Sequence, residues 1–197
     1  MLTGKRILLI VTGGIAAYKA LELIRLLRKA GAGVKVVMTR AAGEFVTPMS
    51  LAVLSGEEVH TDLFSLKDET EIGHIQLSRA ADLVVVAPAT ADILAKMAAG
   101  ISDDLATTLL LATDKRVLVA PAMNVRMWFH PATRRNLDQL SRDGVLTVGP
   151  DAGEMACGEF GPGRMAEPAA IVEAIRAALA ENIRPALTGP GTALIDA

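Results

Sequence analysis

Short apolar runs rich in β-branched residues alternate along this chain with longer amphipathic stretches, and that alternation admits few folds. The runs are Ile7 to Val11, Val34 to Met38, Leu83 to Ala87, Val117 to Ala120 and Val145 to Val148. They read as strands buried on both faces, the kind found in a parallel sheet covered by helices. The expected fold class is therefore α/β, a Rossmann-like or flavodoxin-like three-layer sandwich with a parallel sheet. Between the first two runs, Ala20, Ile24 and Leu27 fall on one helical face, Glu22, Arg25, Arg28 and Lys29 lie elsewhere, and Gly31 follows as a stop signal. That segment completes one βαβ unit. A length of 197 residues suits one such domain. Its expected bounds are 1–181, with a closing helix from Pro168 to Ala180; residues 182–197, which include Pro185 and Gly189-Pro190-Gly191, read as a dispensable linker or tail.

Charge and cysteine usage exclude several partners. Twenty basic and 22 acidic residues are interspersed for a net charge of -2, so the chain offers no polycationic field for a nucleic acid backbone. A single cysteine makes no intrachain disulfide, which points to a reducing cytoplasm and leaves that thiol to packing or chemistry. Lys5 and Arg6 ahead of Ile7 to Val11 imitate a signal peptide, but Gly13-Gly14 cut the apolar run, and a strand, loop and helix explain the same residues. No apolar stretch approaches the roughly 20 residues of a membrane span, so no membrane partner is expected.

Open α/β sheets bind ligands beyond the carboxyl ends of their strands, and the loops there carry the unusual residues. Thr12-Gly13-Gly14-Ile15-Ala16-Ala17 joins strand to helix, either as a plain tight turn or as a seat for a phosphorylated cofactor at a helix N-terminus. It lacks the Gly-x-Gly-x-x-Gly spacing, and the second run ends in Thr39-Arg40 instead of an acid for a ribose, which argues against NAD. Thr39 beside cationic Arg40 suits a phosphate equally well. Two later runs end alike, in Ala87-Pro88-Ala89 and Ala120-Pro121-Ala122, where the proline is expected to end sheet pairing. In Thr90-Ala91-Asp92, Thr90 or Asp92 caps the next helix, a role compatible with holding a flavin or phosphate.

Three further residues have two readings each. His74, in Ile72-Gly73-His74-Ile75-Gln76-Leu77, is either a packed or surface histidine or an acid–base group, and His60 and His130 compete with it. Asn124 in Pro121-Ala122-Met123-Asn124 closes a turn or offers two donors to a carboxylate. Cys157 is a small buried hydrophobe or a proton donor presented by the glycine-rich segment Gly153 to Met165, which reads as a mobile flap. The widely spaced histidines and lone cysteine have no metal-ligand spacing, so no metal is expected.

Several of these motifs together resemble the homo-oligomeric flavin-containing cysteine decarboxylases, specifically the phosphopantothenoylcysteine decarboxylase family. They are Gly13-Gly14-Ile15-Ala16-Ala17-Tyr18-Lys19, the His74 segment, Ala87-Pro88-Ala89-Thr90-Ala91-Asp92, Pro121 through Trp128, and Ala156-Cys157-Gly158 through Gly163-Arg164-Met165. The resemblance implies FMN, held by Gly13, Gly14, Ile15, Thr39, Thr90, Ala91 and Asp92 with Ala122 near the ring. It implies His74 as active-site base, Asn124 on the substrate carboxylate, Cys157 as proton donor, and Ala156 and Met165 in a flap that closes over substrate. Many relatives have Ser-Ala-Asn where this chain has Thr90-Ala91-Asp92, which leaves the contact of the Asp92 side chain open. The implied substrate is 4'-phospho-N-pantothenoylcysteine and the implied assembly a homo-oligomer, a trimer or a dodecamer built from trimers. Many relatives also carry a phosphopantothenate–cysteine ligase domain, so a fused or separate ligase domain is an expected partner of residues 1–181. A peptidyl-cysteine decarboxylase, a flavin prenyltransferase and a non-catalytic FMN-binding regulatory subunit are the alternatives on the same scaffold.

Overall fold

The computed structural model of the chain describes residues 1–62, 73–154 and 158–180, with Gly73 and His74 described as backbone only. In chain order the elements are β1 (Arg6–Val11), a 3-10 turn (Ile15–Tyr18), α1 (Lys19–Lys29), β2 (Gly33–Met38), a second 3-10 turn (Arg40–Glu44), α2 (Pro48–Ser55) and β3 (Val59–His60). Then come α3 (Gly73–Ala80), β4 (Leu83–Ala89), α4 (Ala91–Ala99), α5 (Leu105–Ala112), β5 (Val117–Pro121), α6 (Val125–Phe129), α7 (Pro131–Arg142) and β6 (Leu146–Thr147). A hairpin of β7 (Asp151–Glu154) and β8 (Phe160–Arg164) precedes α8 (Pro168–Ala180).

Six strands pair in the order β3-β2-β1-β4-β5-β6, all parallel. The chain winds outward in one direction from β1 and in the other from β4, so the strand order reverses between these two and opens a crevice at their carboxyl ends. Alternation along β1 sorts its side chains between two cores. Ile7, Leu9 and Val11 pack with Leu23, Ile24 and Leu27 of α1 and Ile171 and Ile175 of α8. Leu8 and Ile10 face the opposite layer, with Leu77 of α3, Ile93 and Leu94 of α4, Leu105 and Leu109 of α5 and Leu140 of α7. Each such side chain, once fully buried, contributes about 1.5–3 kcal/mol before the entropy of ordering it is counted. Burial on both faces is why these runs show no polar alternation.

The strand expectations hold with three adjustments. Pairing does not stop at the prolines: β4 runs through Pro88 to Ala89, which pairs with Pro121, the last residue of β5. Pro88 is accommodated because the register shifts between Val86 and Ala89, and a bulge leaves a residue out of the ladder. The Val145 to Val148 run contracts to the two residues of β6, which pair with Leu118 and Val119. Strand β3 carries no apolar run at all and forms at the sheet edge by pairing Val59 and His60 with Val36 and Val37. The Gly153 to Met165 segment lies outside the main sheet, its described parts forming the antiparallel β7–β8 pair. Residues 182–197 lie outside the described residues.

Candidate active site

The loops that follow β1, β2, β4 and β5 converge with the β7–β8 hairpin around a cleft of about 1300 Å³. Small-molecule pockets are typically about 300–1,000 Å³, so this one has room for a cofactor with a substrate beside it.

One wall grows directly out of the sheet. Thr12, 2% exposed at the end of β1, donates its hydroxyl proton to the Pro88 carbonyl at 2.6 Å and so ties the β1 and β4 exits together. Gly13 presses on the loop after β2: a Cβ there would stand 2.4 Å from the Ala41 Cβ and 2.7 Å from its carbonyl carbon. The glycine is thus required by loop-on-loop packing. Gly14 is extended and precedes the 3-10 turn, and a Cβ on it would meet only the Thr90 methyl at 3.6 Å. Thr39 accepts from the Ala42 amide and Thr90 from the Ile93 amide, both at 3.4 Å, so each starts a helical turn. A hydroxyl that accepts such a bond still carries a proton to donate to a ligand.

The second wall is the Ala122–Asn124 segment and the hairpin laid on it. Ala122 donates its amide to the Ala89 carbonyl at 3.0 Å, and Met123 donates its amide to Gly163 of β8 at 3.0 Å. Asn124 caps α6, its Oδ1 accepting from the Met127 amide at 2.8 Å. With Oδ1 committed to the helix and no partner for Nδ2 among the described residues, the amide protons can serve a carboxylate in the cleft, so the turn-closing and ligand readings of Asn124 are compatible. At the base of the hairpin, buried Lys19 at the start of α1 donates to the Met165 carbonyl at 3.1 Å and to Glu167 Oε1 at 2.7 Å. That link joins the two walls.

Gly13, Gly14, Ile15, Thr39, Thr90, Ala91, Asp92, Ala122, Asn124 and Met165 all line this one cleft. Met165 does so from a buried position, 1% exposed and packed in the core. His74 stands in the first turn of α3, with its side chain outside what is described; Ala156 and Cys157 lie outside the described residues. The competing histidines go elsewhere. His130 caps α7 by accepting from the Ala132 amide at 3.1 Å, and His60 sits on edge strand β3, where burial pushes its pKa below the ordinary 6.5.

The sequence reading did not single out Lys96, Asp104, Glu154 or Arg164 as cleft residues, yet all four line it. Lys96 lies 3.5 Å from Asp92 and 3.1 Å from Asp103. Its bond to Asp103 raises its pKa against the opposing effect of burial. The i,i+4 spacing of Asp92 and Lys96 was available as a signal; the approach of Asp103 from the next helix start was not.

A doubly wound sheet whose strand-order reversal carries a deep cleft, hydroxyl-rich on one wall and partly apolar on the other, defines a class of α/β proteins that bind cofactors at the topological switch point. The Flavoprotein family model matches residues 1–180, and the chain belongs to that family. It is 55% identical over 171 residues to the Coenzyme A biosynthesis bifunctional protein CoaBC of Vibrio cholerae, covering 87% of this chain and 43% of that protein. The chain therefore spans less than half the length of this relative. Among solved structures it is similar to a PPC decarboxylase cysteine-to-serine mutant complexed with pantothenoylaminoethenethiol, with 35% identity, a TM-score of 0.82, and 88% of this chain and 97% of that one covered. It is also similar to the FMN-dependent cysteine decarboxylase SpaF, with 32% identity, a TM-score of 0.79, and 91% and 98% covered.

Proposed function

We propose that the chain is an FMN-dependent decarboxylase that converts 4'-phospho-N-pantothenoylcysteine to 4'-phosphopantetheine in coenzyme A biosynthesis. The observation that carries this reading is the convergence in one cleft of the flavin-type loops and of Asn124, whose amide protons have no partner among the described residues, in a chain similar to CoaBC over most of its length. The cleft fits a flavin phosphate in its chemistry. Ile15, Ala122, Met123 and Met165 offer apolar surface for a fused ring, and the Gly13-Gly14 backbone with the Thr39 and Thr90 hydroxyls offers donors to a polyol and phosphate.

A carboxylate on a saturated carbon has no electron sink for the carbanion that loss of carbon dioxide would leave. FMN, which the Gly13-Gly14 backbone and the Thr39 and Thr90 hydroxyls would hold, would supply that sink as a reversible hydride acceptor, so that the reaction has no net redox change. The chain's own residues bind and move protons. Asn124 holds the departing carboxylate through Nδ2, and buried Met165 helps exclude water. His74 serves as the base and Cys157 returns a proton to the product carbon. An enethiol is what remains between decarboxylation and that final protonation. A related PPC decarboxylase lacking a cysteine is complexed with such a molecule, and this chain has a single cysteine, Cys157, to fill the corresponding role.

Homotrimer formation and a cytoplasmic location belong to the same proposal. Ile15 and Tyr18 beside the cleft and Met49 and Val53 on α2 are exposed apolar side chains of the kind a subunit interface covers. A ligase domain, fused or separate, would supply the substrate. The 55% identity to a coenzyme A biosynthesis protein, against 32% to SpaF, favours the phosphorylated substrate over a peptide.

The test is anaerobic incubation of the purified protein with 4'-phospho-N-pantothenoylcysteine, followed by absorbance and mass spectrometry. Flavin absorbance with 4'-phosphopantetheine is the expected result. Bound flavin without product would overturn the substrate, and a colourless protein that FMN does not reconstitute would overturn the whole reading. His74→Asn is expected to keep FMN and lose turnover by roughly 10²–10⁴-fold, the usual contribution of a general base.

A further inference from the structure

Asp92 opens α4 on the cleft with a carboxylate, an awkward group to place beside a ligand that carries a phosphate. The corner around it is more acidic still, because Asp104 lines the same cleft and Asp103 stands next to it at the start of α5. Lys96 is the cation set among them. Its ammonium lies 3.5 Å from Asp92 and 3.1 Å from Asp103, and its side chain is 24% exposed where those of Asp92 and Asp103 are 74% and 53% exposed. Three other cations line the cleft and have different surroundings: Lys19 is held by Glu167 and the Met165 carbonyl, Arg164 lies 3.8 Å from Glu167, and Arg40 stands across the cleft in the turn after β2.

Asp103 and Asp104 are not free to turn away. Asp104 caps α5 by accepting from the Thr107 amide at 2.8 Å, and the Asp103 carboxylate accepts from the Thr107 hydroxyl at 3.3 Å. The acids are therefore anchored by the fold, and without Lys96 they would make the corner at the first turn of α4 locally negative. Salt screens such a field less in a concave site than on an open surface.

We propose that Lys96 is a positioning residue that neutralises Asp92 and its neighbours so that the first turn of α4 admits a phosphate-bearing ligand. The inference rests on the flavin reading of the cleft and explains how a chain with Asp92 tolerates a carboxylate there. Lys96 acts through charge, without needing to touch the ligand, so its loss penalises dianionic ligands and spares neutral ones. Removing Asp92 in the same background takes away the repulsion and restores the ligand.

The test measures dissociation constants of FMN and riboflavin for the purified apoprotein by flavin fluorescence, in the parent, Lys96→Met, Lys96→Arg and Lys96→Met/Asp92→Asn proteins. Lys96→Met is expected to weaken FMN roughly tenfold while changing riboflavin by less than about twofold, the size expected for one charge near a partly screened site. Lys96→Arg should keep the parental preference, and the double variant should recover most of it. A second arm compares KM for the substrate with and without its 4'-phosphate, because that phosphate has the same chemistry. A change confined to this arm, with FMN binding unaltered, assigns the corner to the substrate's phosphate and still supports the proposal. Equal losses for FMN and riboflavin, no loss in either arm, or failure of Asp92→Asn to rescue would overturn it. A parent protein that binds neither flavin would overturn the flavin reading and this inference with it.

Discussion

The two walls of the cleft are held by different forces. The wall at the ends of β1 and β4 is continuous with the core: Ile10, Val11, Val86 and Ala89 are fully buried, and Thr12 stitches the two strand exits together. The hairpin wall stands outside the main sheet. It is attached through the Met123–Gly163 backbone bond, an Arg126–Glu159 ion pair, the approach of Gly161 to Val125 and the Lys19 link at its base. The first wall shares the stability of the whole domain, whereas the second depends on a few local contacts that can be altered without unfolding the sheet. Cofactor-type residues lie mostly on the first wall and substrate-type residues on the second, so holding a flavin and handling a substrate should be separable by mutation.

Three substitutions probe that separation, and a fourth stands as a control outside both walls. Gly13→Val should have the largest effect, because the new side chain meets Ala41 backbone that cannot swing aside. The expected outcome is loss of flavin absorbance with about 3 kcal/mol of stability, read by denaturant unfolding. Retained flavin at unchanged stability would break the comparison.

Lys19→Met should rank second, since it touches both walls. It leaves the Met165 carbonyl without its donor inside the protein, a cost of about 2 kcal/mol, and Glu167, half exposed, can turn to water. Flavin binding and substrate KM should both worsen, which distinguishes it from variants confined to one wall.

Gly161→Val addresses the hairpin alone. A Cβ there would stand 2.7 Å from Val125 Cγ2, lifting β8 off α6 at a cost of about 1 kcal/mol. Flavin titration should be unchanged while substrate KM rises, and equal losses of both would show that the walls are not independent.

The smallest effect lies outside both walls. Burial lowers the pKa of His60 below 6.5, against the raising influence of Glu58, so the unfolded chain binds its proton more readily than the folded one. Stability from this group is present above pH 6.5 and is lost as pH falls through the lower folded value. His60→Gln should flatten that slope in unfolding measured between pH 5 and 7, with flavin affinity unaltered.

Much of this arrangement was legible in the sequence where the determining forces are local. Apolar runs marked β1, β4 and β5 and, interrupted by exposed Lys35, β2, and the Ala20, Ile24 and Leu27 spacing marked α1. Thr90 and Asn124 were readable as turn or cap residues because the amides they accept from lie three positions on. The cofactor-type residues and Asn124, chosen through motif resemblance, came together in one cleft.

What local signals did not carry, the tertiary structure decided. β3 exists because β2 offers it an edge, and β4 passes Pro88 because β5 continues beside it. The need for glycine at position 13 arises from Ala41 on a neighbouring loop. Lys19 is a wall-joining residue only because Met165 and Glu167 return to it from the far end of the chain. A sequence window reports the preferences of neighbouring residues, and those set which segments become strands and helices. The order in which strands pair, and the side chains that order brings together, depend on burying both faces of one sheet at once, a condition that only the complete fold satisfies.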